Sequence, residues 1–267
     1  MPKTIVLTGA SSGIGAGLAE RLGAEGHALA LGARRQDLLD HVADEAMRRG
    51  SPRAIAVEAD VTRRADVERL RDATLDAFGG FDVWINNAGR GITRQVLDLT
   101  DDDFDLMMAV NVKSALYGMQ TAVQHFIERG GRGHVINVSS FLGRVPMATF
   151  RSAYNAAKAA LNSLTANLRM DLRAKYPDIH VTLVMPGVVG TWFGRNALYS
   201  PPDTPKYAGP NVQTVEEVAG IICDVIAHPV AEVYTNPASA ALAQRYFVDV
   251  GAFEAQGVRW GTDPASP

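Results

Sequence analysis

Short runs of aliphatic and β-branched residues alternate with longer helical patterns through the first two thirds of the chain. The short runs predict strands over residues 4–8, 28–31, 54–57, 83–86, 134–138, 181–184 and 232–234. The intervening patterns predict helices over 13–25, 36–49, 65–78, 102–129, 152–174 and 215–227. Parallel neighbours in a sheet need a crossover long enough to carry a helix, so this alternation implies a parallel sheet wound on both faces. The expected fold is therefore α/β, a doubly wound, seven-stranded parallel sheet in a single domain spanning 1–267.

Two stretches leave the pattern. Between 188 and 212 the chain carries Gly190, Gly194, Pro201, Pro202, Pro205, Gly209 and Pro210 among aromatic and apolar residues. A connection of that length inside a compact domain is usually a binding loop or a lid. The alternative is a surface excursion, which would leave Trp192, Phe193, Leu198 and Tyr199 in water. A C-terminal extension runs from 237 to 267, apolar and aromatic over 238–253 and polar over 264–267. Its apolar part is expected to cover the substrate mouth or a subunit surface, and its last residues to fray.

Composition narrows the function classes. A hydrophobic content of 47% is ample for a buried sheet. With 26 Lys and Arg against 29 Asp and Glu, the net charge of −3 offers no basic surface to nucleic acid or an anionic membrane. The sole cysteine, Cys223, has no intrachain disulfide partner and lies in the apolar run 218–226, which suits a buried structural thiol in a reducing compartment. The first strand leaves no room for a secretory signal, and no run approaches the ~20 apolar residues of a membrane span, so a cytoplasmic location is expected. The six histidines are scattered without ligand spacing, and no metal site is expected.

Candidate chemistry enters with two local patterns. Thr8-Gly9-Ala10-Ser11-Ser12-Gly13-Ile14-Gly15 joins the first strand to the first helix. Such a turn aims backbone N–H groups and the positive end of the helix at a phosphate, and its glycines let the backbone come close. The second pattern is Ser152-Ala153-Tyr154-Asn155-Ala156-Ala157-Lys158, downstream of Ser139-Ser140. Residues four apart share a helix face, so the Lys158 ammonium is expected beside the Tyr154 phenol, favouring the phenolate and lowering a pKa that is ordinarily about 10.

With the Gly-x-x-x-Gly-x-Gly spacing and the Tyr-x-x-x-Lys pair in this order, the chain resembles the compact branch of the short-chain dehydrogenase/reductase family over about residues 4–191. The resemblance implies a Rossmann-type domain binding a nicotinamide cofactor. It implies Gly9, Ser11, Ser12, Gly13, Ile14 and Gly15 around the pyrophosphate, and Asp60 and Val61 at the adenine. Asn87, Ala88 and Gly89 would pass beside the adenine ribose, and Pro186, Gly187, Val189 and Thr191 would follow the sixth strand, with Thr191 on the nicotinamide carboxamide. It also carries four catalytic residues onto this sequence. Tyr154 would give or take the proton at the substrate oxygen, and Ser140 would hydrogen-bond that oxygen. Lys158 would bind the nicotinamide ribose and lower the pKa of Tyr154, while Asn111 would hold a water linking Lys158 to solvent. Ser140 lies fourteen residues before Tyr154 where the family leads us to expect thirteen, so Ser139 stays open as the alternative. Homodimers or homotetramers are implied, packed through the helices that contain Asn111 and Tyr154.

A carboxylate at the end of the second strand would bond the ribose 2′-hydroxyl of NAD, but this chain reads Leu31-Gly32-Ala33-Arg34-Arg35 there. NADP(H) is therefore expected in preference to NAD(H), with Arg34 on the 2′-phosphate and Arg35 assisting by charge or by stacking on the adenine. The alternative is two arginines opening an exposed helix. The expected activity is NADPH-dependent reduction of a ketone or aldehyde. Alcohol oxidation by the same site, and a nucleotide-sensing protein without turnover, are the competing readings. Phe141, Leu142, Met147, Phe150, Trp192, Phe193 and Tyr199 suggest a largely apolar pocket, suited to a small-molecule carbonyl or alcohol substrate that is hydrophobic and even bulky.

Overall fold

A computed structural model of the chain describes residues 1–257. The polar end at 264–267, expected to fray, lies outside the described residues. Strands β1 (Thr4–Thr8), β2 (Ala28–Ala33), β3 (Ala54–Glu58), β4 (Val83–Asn86), β5 (Gly133–Val138), β6 (Ile179–Met185) and β7 (Glu232–Tyr234) form one sheet in the order β3-β2-β1-β4-β5-β6-β7. Every neighbouring pair is parallel. The chain runs outward from β1 to β3 and returns to place β4 beside β1. At that reversal the connections leave in opposite directions and open a crevice above the carboxyl ends of the strands.

Helices α1 (Gly13–Ala24), α2 (Gln36–Arg49), α3 (Arg64–Phe78), α4 (Asp101–Met108), α5 (Ser114–Glu128), α6 (Ser152–Leu172) and α7 (Val215–Ala227) connect the strands. Leu39, Val42, Ala43 and Ala46 of α2 are buried, the recurrence that one face of a helix demands. Residues of α1, α2 and α7, among them Leu22, Leu39 and Ile222, fill one side of the sheet, while Leu70, Phe126 and Leu172 from α3, α5 and α6 fill the other around Phe81 and Trp84. Cys223 is buried, and burial pushes its thiol up to about 12, the environment of an inert structural cysteine. No helix among the described residues is long and apolar enough to cross a membrane.

Asn86 and Asn137, polar residues inside the sheet, are paired. Asn86 accepts from Trp84 Nε1 at 2.8 Å and donates to Asn137 Oδ1 at 2.8 Å, and Asn137 donates in turn to Thr165 Oγ1 at 2.9 Å. Each group left unpaired at such depth would cost about 1–3 kcal/mol, so this chain of bonds fixes β4, β5 and α6 to one another just below the crevice.

The single helix expected over 102–129 is interrupted. A capping box of Thr100 and Asp103 starts α4, and a π-helical turn over Ala109–Lys113 separates it from α5. The cause is Asn111, which is turned inward and donates through Nδ2 to Met107 O at 3.1 Å and to Arg90 O at 3.0 Å. A side chain bonding the carbonyl four residues back competes with the helix's own hydrogen bond there, and the turn widens. The apolar stretch expected over 238–253 forms α8 (Ala238–Val248) and α9 (Val250–Ala255), whose Ala243 and Phe253 pack with Phe141 and Tyr234.

Candidate active site

The turn between β1 and α1 is packed backbone against backbone. Gly9 has φ +68°, and a Cβ added to it would lie 2.7 Å from Ala88 Cα. One added to Gly15 would lie 2.7 Å from Asn87 Nδ2 and run into the Gly9 carbonyl oxygen. Asn87 Nδ2 donates to Thr8 O at 3.0 Å and Gly9 O at 3.2 Å, and Thr8 Oγ1 accepts from the backbone N–H of Asn87 at 3.1 Å and of Ala88 at 3.2 Å. The glycine-rich turn and the segment after β4 are therefore one unit. Gly13 opens α1, and a Cβ there would meet only the Thr191 side chain, 3.6 Å away, which places Thr191 across the crevice from the turn.

Ser12 precedes α1 without capping it; its hydroxyl accepts from Arg35 Nη2 at 2.9 Å, as does the Ser11 hydroxyl at 3.1 Å. The first N–H groups of α1 are thus left without a side-chain cap, which is the condition for an anion to bind them. Of the two arginines after β2, Arg35 reaches the turn; Arg34 is exposed and has no side-chain partner among the described residues. Ile14 packs against the core, and Val61 is buried beside the other core layer. Asp60 Oδ1 accepts from the N–H and the hydroxyl of Thr62 at 3.0 and 2.7 Å, which fixes the turn after β3. After β6, Pro186 O accepts from Phe141 N at 2.8 Å, a Cβ on Gly187 would sit 3.5 Å from Asn236, and Val189 pairs with Gln213.

Tyr154 and Lys158 stand one turn apart on the buried face of α6. Tyr154 is 7% exposed, and burial pushes its phenol up to about 12 against the opposing pull of a hydrogen bond from Ser140 and the charge of Arg151. Lys158 Nζ donates to Val138 O at 2.9 Å and lies 5.8 Å from the centre of the Tyr154 ring. Burial brings Lys158 down to about 7. Burial is the dominant influence on both groups here, raising the phenol and lowering the ammonium, and it works against the expected lowering of the phenol by Lys158. The neighbouring serines are divided between two tasks. Ser139 Oγ bonds Asn162 Oδ1 at 2.5 Å, whereas Ser140 faces the phenol. The loop after Ser140 packs tightly, since a Cβ on Gly143 would come within 2.7 Å of the Lys158 backbone.

Asn111 Oδ1 accepts from Arg90 N at 3.1 Å, so its carboxamide holds the Arg90 backbone from both sides. A Cβ on Gly89 would lie 3.0 Å from Asn111 Oδ1 and 3.5 Å from Lys158 Nζ. Asn111, Lys158, Ser140 and Tyr154 are thereby brought to one end of the crevice, and the glycine-rich turn and Arg35 to the other. Among the described residues no group of three or more His, Cys, Asp or Glu is placed to hold a metal ion.

The expected apolar pocket is drawn more narrowly. Phe193 lies 5.4 Å from the Tyr154 ring, and Leu142 and Met147 belong to the same cluster. Phe141 turns instead toward Tyr234, 6.0 Å away, because α8 and α9 draw it into their own cluster. Trp192 is 49% exposed, with Arg195 5.1 Å from its ring. Phe150 is partly exposed beside Arg151. Tyr199 faces away, its ring 3.8 Å from the Arg94 guanidinium and its hydroxyl donating to Asp103 Oδ1 at 2.8 Å.

Sequence reasoning missed Arg151 and Asn162. Arg151 is buried, with Nη1 donating to Ile92 O at 3.1 Å and Thr93 Oγ1 at 3.2 Å, and Nη2 donating to Tyr207 Oη at 3.2 Å. One signal was available: a cation immediately before a helix opposes the positive end of the helix dipole, an odd place for an idle surface arginine.

The short chain dehydrogenase family model matches residues 3–198. The uncharacterized oxidoreductase YxnA of Bacillus subtilis is 33% identical over 241 residues, covering 90% of this chain and 67% of that protein. An uncharacterized oxidoreductase of Staphylococcus aureus is 35% identical over 204 residues, or 76% of this chain and 84% of its own. Among solved structures, a short chain dehydrogenase/reductase from Burkholderia phymatum in complex with NAD gives a TM-score of 0.83 at 28% identity, covering 100% of this chain and 98% of its own. An alcohol dehydrogenase from the archaeon Thermococcus sibiricus, complexed with 5-hydroxy-NADP, gives 0.75 at 27% identity over 88% and 96% of the two chains.

Proposed function

This chain belongs to the short-chain dehydrogenase family, and from that premise we propose that it is an NADPH-dependent reductase that converts the carbonyl of a ketone or aldehyde to an alcohol. The observation that carries the reading is the buried Tyr154 phenol, one turn from Lys158 on α6 and facing the Ser140 hydroxyl, in surroundings that favour its protonated form. A phenol in that state is a proton donor, and a hydroxyl beside it is a second donor to the same oxygen.

The crevice suits a nicotinamide dinucleotide. The bare backbone at Gly13, where a Cβ would meet only the Thr191 side chain, leaves room beside the turn, and the uncapped start of α1 supplies N–H donors for a pyrophosphate. When bound, NADPH supplies the hydride that reaches the carbonyl carbon. Tyr154 gives its proton to the carbonyl oxygen, which becomes the alcohol hydroxyl, while Ser140 donates a hydrogen bond to that oxygen as negative charge builds on it. Lys158 Nζ, next to Gly89, is assigned to the nicotinamide ribose, and Asn111 to a water through which the phenol regains a proton. Thr191 is assigned to the carboxamide. Arg34, exposed at the end of β2, and Arg35, fixed on Ser11 and Ser12, favour a 2′-phosphate, since no carboxylate replaces them there.

NADPH oxidation across a panel of ketones and aldehydes tests this, with NADH as control. Tyr154→Phe is expected to lose about 10²–10⁴ in turnover, the usual range for a general acid, with NADPH affinity unchanged. Full activity in that variant rejects the mechanism. Alcohol oxidation with NADP requires the phenolate, so its rate should climb as pH rises toward the phenol's pKa. Turnover confined to that direction would reverse the assignment, and NADPH binding without any turnover would leave a nucleotide-sensing protein.

A further inference from the structure

Arg151 carries a charge that has no assigned step in this chemistry. The residue is 5% exposed, immediately precedes α6, and makes no ion pair among the described residues. Its three acceptors, Ile92 O, Thr93 Oγ1 and Tyr207 Oη, are all neutral. A buried cation without a carboxylate partner is costly, and the dipole of α6 adds to the cost. Such a placement persists where the surrounding chain holds it in place, and the neighbours of Arg151 show what is being held.

Three segments meet at its guanidinium. The strip 91–94 after β4 is bonded to the 188–212 segment through Leu198 N to Gly91 O at 3.0 Å and Thr93 N to Leu198 O at 2.8 Å. On its other side it is bonded to the start of α6 through Arg94 N to Phe150 O at 2.8 Å and Ser152 Oγ to Arg94 O at 2.7 Å. There is no slack between them: a Cβ on Gly91 would lie 3.0 Å from the Phe193 ring and 3.1 Å from Arg151 Nη1. Phe193 is the ring that covers Tyr154. Tyr207 stands on the far limb of the same 188–212 segment, and its bond to Arg151 Nη2 ties that limb directly to the helix bearing Tyr154.

We propose that Arg151 is a positioning residue that latches the 188–212 segment, through the Tyr207 hydroxyl, to the base of the helix carrying Tyr154, so that closing the segment over a carbonyl substrate and placing Tyr154 are a single event. The proposal rests on the reductase reading for its kinetic consequence, and on geometry alone for the latch.

The test is a double-mutant cycle of Tyr207→Phe, Arg151→Gln and the combination. The first readout needs no turnover. Limiting trypsin is applied to the NADPH-loaded proteins, and cleavage after the exposed Arg195 and Lys206 is followed by mass spectrometry. Loss of a hydrogen bond to a charged group should speed cleavage about tenfold in each single variant. The double variant should be cut no faster than Arg151→Gln. The second readout is kinetic: Tyr207→Phe should raise KM for the carbonyl and lower kcat while the NADPH Kd stays put. Equal cleavage in all four proteins, or losses that multiply in the double variant, would overturn the latch, as would a lower melting temperature with no change in KM or kcat. Tyr207→Phe removes only a hydroxyl and decides the matter if Arg151→Gln does not fold. If no carbonyl is turned over by the wild type, the reductase reading fails, and the proteolysis cycle still accepts or rejects the latch.

Discussion

On the β1–α1 side of the crevice, Gly9 and Gly15 are packed against the Ala88 backbone and the Asn87 carboxamide with no room for a Cβ, whereas on the β6 side the middle of the 188–212 segment is held by separate bonds, backbone ones through Leu198 to Gly91 and Thr93 and side-chain ones from Tyr199 to Asp103 and Tyr207 to Arg151. Tyr199 even sits at φ +58°, the lone non-glycine residue with positive φ among those described, held there by Asp103 and Arg94. Packing with no room for a Cβ does not loosen in steps. Separate hydrogen bonds can be given up one at a time, each for a modest cost. A cradle for a dinucleotide gains from the first kind of construction, and a cover that must admit and release a substrate gains from the second.

The largest effect is expected from Gly15→Ala. Its methyl group would strike the Gly9 carbonyl oxygen and lie 2.7 Å from Asn87 Nδ2, which should cost about 3 kcal/mol in a thermal melt and sharply weaken NADPH in a fluorescence titration. A variant that melts and binds like the wild type would make the cradle as forgiving as the cover and end the contrast. Arg34→Ala comes next, because it removes an exposed group without disturbing packing. NADPH affinity should fall about tenfold or more, as for a lost charged hydrogen bond, with NADH unaffected. Equal losses for both cofactors would take the 2′-phosphate away from Arg34. The smallest effect is assigned to Tyr199→Phe, which leaves Asp103 paired with Arg94 at 2.7 Å. Only a few-fold rise in KM for the carbonyl is expected in steady-state assays; a loss as severe as that of Gly15→Ala would show that the cover is no less rigid than the cradle.

The same contrast explains what could be read in advance. The seven strands and the turn from Thr8 to Gly15 are legible because their constraints are local, set by glycine spacing and by apolar runs covered on both sides. Tyr154 and Lys158 are legible as a pair because one helix spaces them. Their ionisation is not, since it depends on how deeply the two groups are buried, and only the packed molecule sets that. The break at Asn111 escapes the apolar pattern because one partner, Arg90 O, lies 21 residues away. Arg151 is harder still to read, with partners 56 to 59 residues away. The choice between Ser139 and Ser140 turns on which side of the strand end each one leaves, a distinction that neighbouring identical residues conceal.

The widened turn at Ala109–Lys113 also acts as a rotary offset. Each residue of an α-helix advances the direction of its side chain by about 100°, so a turn holding one residue more than an α-turn rotates everything beyond it by roughly that angle. Met107, before the offset, points into the cluster around Tyr154, while Met119, Ala122 and Phe126, after it, point into the layer against the sheet. A single rod from Thr100 to Glu128 is thus keyed at one end to the chemistry and at the other to the scaffold.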